Sequence, residues 1–304
     1  MSTQATLLFD APGPRARLRN HLLTAIGLVA LLAIAWFVYT RFDEKGQWRG
    51  EIWEPFLRPE TWTNFIFPGL LGTLKAAALG AVFALAFGAI FGLARLSEHR
   101  WIRIPAGVVV EVFRAIPLLL LIFFVFYWLP SAFGGGDYTL IAVVAGLALY
   151  NGSVLAEIVR AGVLSVPKGQ SEAAYAIGLR RTGVLWRILL PQAVTAMMPA
   201  IVSQLVVLLK DTALGYIIAY VDLLNFGFKI IPPNFPGSLI PAAIVIGIIY
   251  IGINMLLSAL AHWLERRSRR SRKTSARPLG PSTGIPAAAA AGQPPAVVDG
   301  GLGN

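Results

Sequence analysis

Residues Gly169–Ala193 read GQSEAAYAIGLRRTGVLWRILLPQA, a semi-polar stretch with Arg180, Arg181 and Arg187 and a single carboxylate, Glu172. It lies between two long apolar runs in a chain of 304 residues that is 56% hydrophobic and only 13% charged. Soluble domains carry about 25% charged residues. The deficit marks an all-α integral membrane protein, and makes the quoted stretch an insert at the membrane surface.

Working outward, six runs can each supply the ~20 mostly apolar residues of a spanning helix. They lie near Leu22–Tyr39, Pro68–Leu96, Ile104–Leu129, Tyr138–Val163, Ala193–Tyr220 and Leu239–Leu264. The first ends in Trp36, Phe37 and Tyr39, an aromatic belt, and lacks the small-residue cleavage site of a signal peptide.

Basic residues set the expected orientation. One side of a six-span arrangement collects Arg15, Arg17 and Arg19, then Arg95, Arg100 and Arg103. It also collects five cations from Arg160 to Arg187 and seven from Arg266 to Arg277, together 18 of the 26 lysines and arginines. The other side dilutes Arg41, Lys45, Arg49, Arg58 and Lys229 with five carboxylates between Asp43 and Glu60. Both termini and the insert are therefore expected in the cytoplasm. The net charge of +11 is a topology signal, helped by attraction to anionic lipid, and not a nucleic-acid surface. The chain has no cysteine, which excludes disulfides and thiolate sites, and its three histidines have no metal-ligand spacing.

The expected organisation is a cytoplasmic segment over residues 1–20, an additional first span over 21–40 and an external segment over 41–65. A five-helix core follows over 66–264 with a cytoplasmic loop at 164–192, then a basic tail over 265–304, rich in Pro, Ala and Gly beyond Arg277. Trp48, Trp53 and Trp62 of the external segment are expected to pack on the membrane surface.

Within the insert, Ser171 is a suitable N-cap, Glu172 suits a helix N-terminus, and Ala173, Ala174 and Ala176 are strong helix formers of little bulk. Gly178 permits a turn that a Cβ resists, and Pro191 is expected to break the chain before the next span. A short helix, a glycine turn and a second helix result. On physical grounds alone the element is either a docking surface or an amphipathic loop on lipid.

The order Glu172-Ala173-Ala174, then Gly178, then Ile188 with Leu190-Pro191 resembles the EAA loop of binding-protein-dependent ABC importer permeases. Glu111-Val112-Phe113-Arg114-Ala115-Ile116-Pro117 resembles that family's motif in the corresponding span. Ala156-Glu157, Arg160-Ala161-Gly162, Val166-Pro167-Lys168-Gly169-Gln170, Leu190-Pro191-Gln192-Ala193 and Leu209-Lys210-Asp211-Thr212-Ala213-Leu214 resemble its subfamily for polar amino acids. The resemblance covers about Thr61 to Trp263.

It implies a type I ABC importer permease core, alternating access, and coupling through Glu172, Ala173, Ala174, Gly178 and Pro191 to an ATPase on another chain that carries ATP and Mg. It further implies a second permease half, identical or homologous, an external solute-binding protein, and a bacterial plasma membrane. The subfamily's usual core has five spans and an external N-terminus, so the first span is an addition; Asn151-Gly152-Ser153 also departs from the usual pattern.

Ionisable residues inside spans default to functional candidates. Glu111 and Arg114, and Glu157 and Arg160, share an i,i+3 spacing that lets each pair close on one helix face. They are either braces between helices or parts of a substrate path. Lys210 and Asp211 fall roughly 24 Å into their span and point about 100° apart, so each can meet one charged group of an amino acid. The alternative is a structural network at a helix break near Thr212 and Gly215. Lys75, Arg114 and Lys210 favour an acidic substrate such as glutamate or aspartate. Gly88 and Gly92 have GxxxG spacing, suited to internal packing or, as the alternative, to a subunit interface.

The chain has no GxxxxGK[ST] phosphate loop and no HExxH, so it is expected to be a transport subunit and not an enzyme. The competing class is a secondary transporter or channel working without ATP, whose proton relays also use buried charge. It lacks support from an inverted repeat.

Overall fold

The computed structural model describes residues 13–273. All regular elements among them are helical. The main helices are α1 (Pro14–Glu44), α2 (Phe67–Ala94), α3 (Arg100–Ala115), α4 (Leu118–Phe133), α5 (Thr139–Leu164), α6 (Lys168–Ala176), α7 (Leu190–Asp211) and α8 (Leu239–Lys273). The first dozen residues and the segment after Lys273, where an unstructured tail is expected, lie outside the described residues.

Among the described residues, five stretches are long and apolar enough to span a bilayer: Pro14–Glu44, Pro59–Ala94, Thr139–Leu164, Arg181–Ile218 and Leu239–Leu260. The third expected span, Ile104–Leu129, is not one straight helix. It is α3 and α4 meeting at 99°, and the bent pair supplies a sixth crossing if counted as one. Pro117 is the cause. The residue before a proline is driven out of the helical region, and Ile116 is extended at φ −83, ψ 128. Helix α3 then presents Trp101, Ile104, Val108 and Val112 outward while Ala106 and Val110 are buried.

Helix α5 is the centre of the bundle, packed against α2, α3, α4 and α7. The glycines of α2 make that contact close. A Cβ on Gly88 would lie 2.6 Å from the Leu155 Cβ, and one on Gly92 would lie 2.8 Å from the Val159 Cβ. In return, a Cβ on Gly152 would lie 2.9 Å from the Phe87 Cβ. Small residues let helices approach where lipid supplies no hydrophobic drive, so the GxxxG stripe serves packing within the chain. Gly88→Ala is therefore expected to cost about 1–3 kcal/mol by overpacking. Thermal unfolding in detergent checks this against Gly107→Ala, where a Cβ meets nothing within 4 Å. Equal melting temperatures would refute the close contact.

Three π turns, Trp62–Ile66, Leu185–Leu189 and Phe226–Ile230, each end two residues before a proline: Pro68, Pro191 and Pro232. A proline offers no N–H and its ring collides with the carbonyl four residues back; a wider turn relieves both. Pro191 accordingly does not break the chain. It sits in the first turn of α7, and helical structure runs on from Arg181 through Asp211.

Helix α1 has no buried residue and begins at Pro14, so Arg15, Arg17 and Arg19 lie in its first two turns. The segment over residues 41–65 folds on itself more than a surface-lying stretch would. The Trp48, Trp53 and Trp62 indoles donate to the carbonyls of Tyr39, Gln47 and Phe56 at 3.3, 2.9 and 2.8 Å. Phe56 and Ile66 pack with Leu223, Ile231, Ala242 and Ile246 in a second apolar cluster.

Candidate functional site

The sequence-derived candidates fall in three places. The first is the insert. Helix α6 starts at Lys168 behind Pro167, one turn earlier than the Ser171 cap expected from sequence. Ser171 instead donates its hydroxyl to the Lys168 carbonyl at 2.7 Å. Pro167 is itself the N-cap, extended at ψ 133 with its own φ held by the ring, and no side chain caps the helix.

The helix ends in a Schellman motif: Gly178 N–H donates to the Tyr175 carbonyl at 2.9 Å and Leu179 N–H to the Ala174 carbonyl at 3.1 Å. Gly178 has φ +84, a left-handed conformation that a Cβ resists. Glu172, Ala173, Ala176 and Ile177 are all exposed, Ile177 at 78%. Ala174 is 4% exposed and faces inward. It therefore seats α6 on its own chain, while its neighbours Glu172 and Ala173 face outward.

The second place gathers charges near the ends of α2, α3 and α5. Glu111 and Arg114 do not close the i,i+3 pair expected of them. Arg95, 13% exposed, donates to Glu111 at 3.0 Å and to Glu157 at 2.8 Å. Arg160 reaches Glu157 at 2.6 Å, and Arg114 lies 3.9 Å from the same carboxylate. The planar guanidinium fork of Arg95 can serve two carboxylates at once, and its place just after α2, between α3 and α5, draws Glu111 away from its own helix. Sequence reading took Arg95 as a topology charge; only its position after the second span hinted at more.

The third place is the end of α7. Asp211 accepts from Asn151 Nδ2 at 3.2 Å, and Asn151 Oδ1 accepts from Gln204 Nε2 at 2.7 Å. Asn151 is fully buried, so its amide has this pair of partners in place of water. Lys210, one residue earlier, points elsewhere, into an open cavity of about 660 Å³ between α7 and α8. Val206, Tyr250, Asn254, Met255 and Ser258 share that cavity. Tyr250 Oη and Asn254 Oδ1 are themselves buried, the hydroxyl beside Thr73 and Thr212. The sequence reading missed Tyr250, Asn254 and Ser258; their i,i+4 spacing in the last span was the available signal.

Beyond Asp211 the chain tightens into a 3₁₀ helix, Thr212–Ile218, and turns at Ala219 with φ 60. Tyr220 Oη donates to the Gly72 carbonyl at 2.8 Å, and Leu223 N–H donates to Thr73 Oγ1 at 3.1 Å. Asp222, buried in this turn, accepts from Asn225 N–H at 2.7 Å, and burial pushes its carboxyl up to about 6. These contacts pin the turn that follows α7 to α2.

The family model described as "Binding-protein-dependent transport system inner membrane component" matches residues 61–270, well over half of the chain. The glutamate transport system permease protein GluD of Corynebacterium glutamicum is 44% identical over 229 residues, 75% of this chain and 83% of that protein. The probable glutamine ABC transporter permease protein GlnP of Bacillus subtilis is 37% identical over 204 residues, 67% of this chain and 93% of that protein. A crystal structure of an amino acid ABC transporter with histidines superposes with a TM-score of 0.62 at 29% identity, covering 68% of this chain and 95% of its own.

The apolar spans and these relatives make the chain a multi-pass protein of the plasma membrane. It is a transport component, not an enzyme, and it belongs to the family of binding-protein-dependent transport system inner membrane components.

Proposed function

We propose that this chain is the permease half of an ATP-driven, binding-protein-dependent importer of polar amino acids, acidic ones such as glutamate and aspartate. The observation that carries the coupling is α6. It ends at a left-handed glycine and offers Glu172, Ala173, Ala176 and Ile177 as an exposed face of small and apolar side chains around one carboxylate. That face suits a groove on a cytoplasmic ATPase subunit, which would carry ATP and Mg.

The mechanism is alternating access with both termini in the cytoplasm. Closure of two ATPase subunits pushes α6, and the push passes through the Arg181–Asp211 helix into the membrane. An external solute-binding protein delivers the substrate. Lys210 is exposed on the chain's own surface within a span, where lipid would make a charge expensive. A second permease half, identical or homologous, covers that face and closes the path.

Acidic specificity rests on Lys210 in its cavity and on the 44% identity to a protein named as a glutamate permease. A glutamate side-chain carboxylate fits beside the Lys210 ammonium in that cavity. Lys210→Ala is expected to raise the KM for glutamate about tenfold, the worth of one charged hydrogen bond. It should leave complex assembly intact. Uptake into proteoliposomes with the complete transporter checks this, and an unchanged KM would remove Lys210 from the path.

The complex is tested by affinity purification of this chain from its own membranes in mild detergent. An ATPase, a permease half and a solute-binding protein should accompany it, and the ligand of that binding protein names the substrate. A chain that purifies alone and moves solute without ATP would overturn the reading in favour of a secondary transporter.

A further inference from the structure

Helix α6 does not rest flush on the spans. A cavity of about 490 Å³ lies between its inner face and the ends of α2 and α5. Lys168, Ser171 and Tyr175, one helical stripe, form the wall on the α6 side. Leu93 and Leu96 at the end of α2, and Val163 and Leu164 at the end of α5, form an apolar floor. Leu185, Trp186 and Leu189 close it from the π turn.

Two features describe the occupant. The cavity sits where two spanning helices end, at headgroup depth, and Leu164 and Trp186 remain widely exposed there. A tryptophan at a span end is the usual marker of the membrane interface. The polar part of the lining is cationic in balance, with Lys168 and Arg181 against the single carboxylate Glu98, which already holds Arg181 at 3.0 Å. An apolar floor with a cationic rim at headgroup depth complements an amphiphile with an anionic head.

We propose that this cavity binds an anionic phospholipid of the leaflet facing α6, one acyl chain on the leucine floor and the phosphate between Lys168 and Arg181. The assignment of that leaflet as cytoplasmic rests on the importer reading; the site itself does not. A bound lipid fills the space between α6 and the spans, so a push on the outer face of α6 moves the helices instead of closing a void.

The test uses the transporter purified with its partner subunits and placed in phosphatidylcholine nanodiscs containing a small share of photoactivatable phosphatidylglycerol. After illumination, label is expected on peptides spanning residues 93–99 and 164–189. Unlabelled phosphatidylglycerol should compete, and phosphatidylcholine should not. Lys168→Glu should lower the labelling more than about fivefold, the effect of one basic residue at an anionic surface. Ser171→Trp, which fills the cavity from the α6 side without changing charge, should lower it as well.

Equal labelling by photoactivatable phosphatidylcholine would reduce the site to ordinary boundary lipid and overturn the proposal. So would full competition by inorganic phosphate, which would make it an anion site without a lipid chain, or label confined to other peptides. Labelling as expected on a chain that brings no ATPase with it would leave the lipid site standing and remove the importer reading.

Discussion

Gly178→Asp abolishes amino acid uptake and releases the ATPase subunits, while the chain still inserts in the membrane. Gly178 is the residue after the C-cap of α6 in a Schellman motif, at φ +84. A side chain there strains the backbone by about 1 kcal/mol or more, enough to unwind the last turn of a nine-residue helix. A Cβ at this position meets nothing within 4 Å, so the fault is conformational and stays local.

Aspartate adds a negative charge at the C-terminal end of a helix dipole, where anions are unfavourable, and beside the exposed docking face. Gly178→Ala carries only the backbone cost and is expected to keep part of the uptake. The measurement is labelled amino acid uptake in membrane vesicles with co-purification of the ATPase from the same membranes. Normal uptake by the aspartate variant would end the coupling role of α6.

The second large effect is expected at Glu157. One carboxylate, 25% exposed, meets Arg95 and Arg160 directly and has Arg114 at 3.9 Å. Glu157→Gln leaves three guanidinium groups facing one another with only Glu111 beside them. Removing the shared partner from this partly buried ion cluster costs about 1–2 kcal/mol, less than in a fully buried pair because Arg114 and Arg160 keep part of their water.

Helices α2, α3 and α5 lose their common tie, so both thermal stability and uptake should fall. Glu111 is 62% exposed and meets Arg95 alone, so Glu111→Gln should cost well under 1 kcal/mol. Thermal unfolding of the purified variants in detergent separates the two. Equal losses would mean that Glu157 is not the centre of the network.

Much of the molecule was legible in the residues themselves. Long apolar runs identify spans because unpaired backbone groups are so costly in lipid that a helix is the natural solution. The left-handed turn at Gly178 followed from the absence of a Cβ, and the separate directions of Lys210 and Asp211 followed from the 100° step of the helix. The i,i+3 contact between Glu157 and Arg160 was also local, and it formed at 2.6 Å.

What the sequence did not contain was the competition between local and distant partners. Glu111 prefers Arg95, sixteen residues away, to Arg114 on its own helix. Asn151 is fixed by Gln204 and Asp211, more than fifty residues along the chain. The bend of 99° at Pro117 needed both a proline and a packing surface to turn onto. Ala174 and Ala173 are identical in composition, yet one is buried and the other exposed.

Composition and period determine that a helix forms and how long it is, because those depend on groups within a few residues. Which face it buries, and which charge answers which, depends on the approach of other helices. Here that approach is set by the glycines of α2 against α5, and only the assembled bundle decides it.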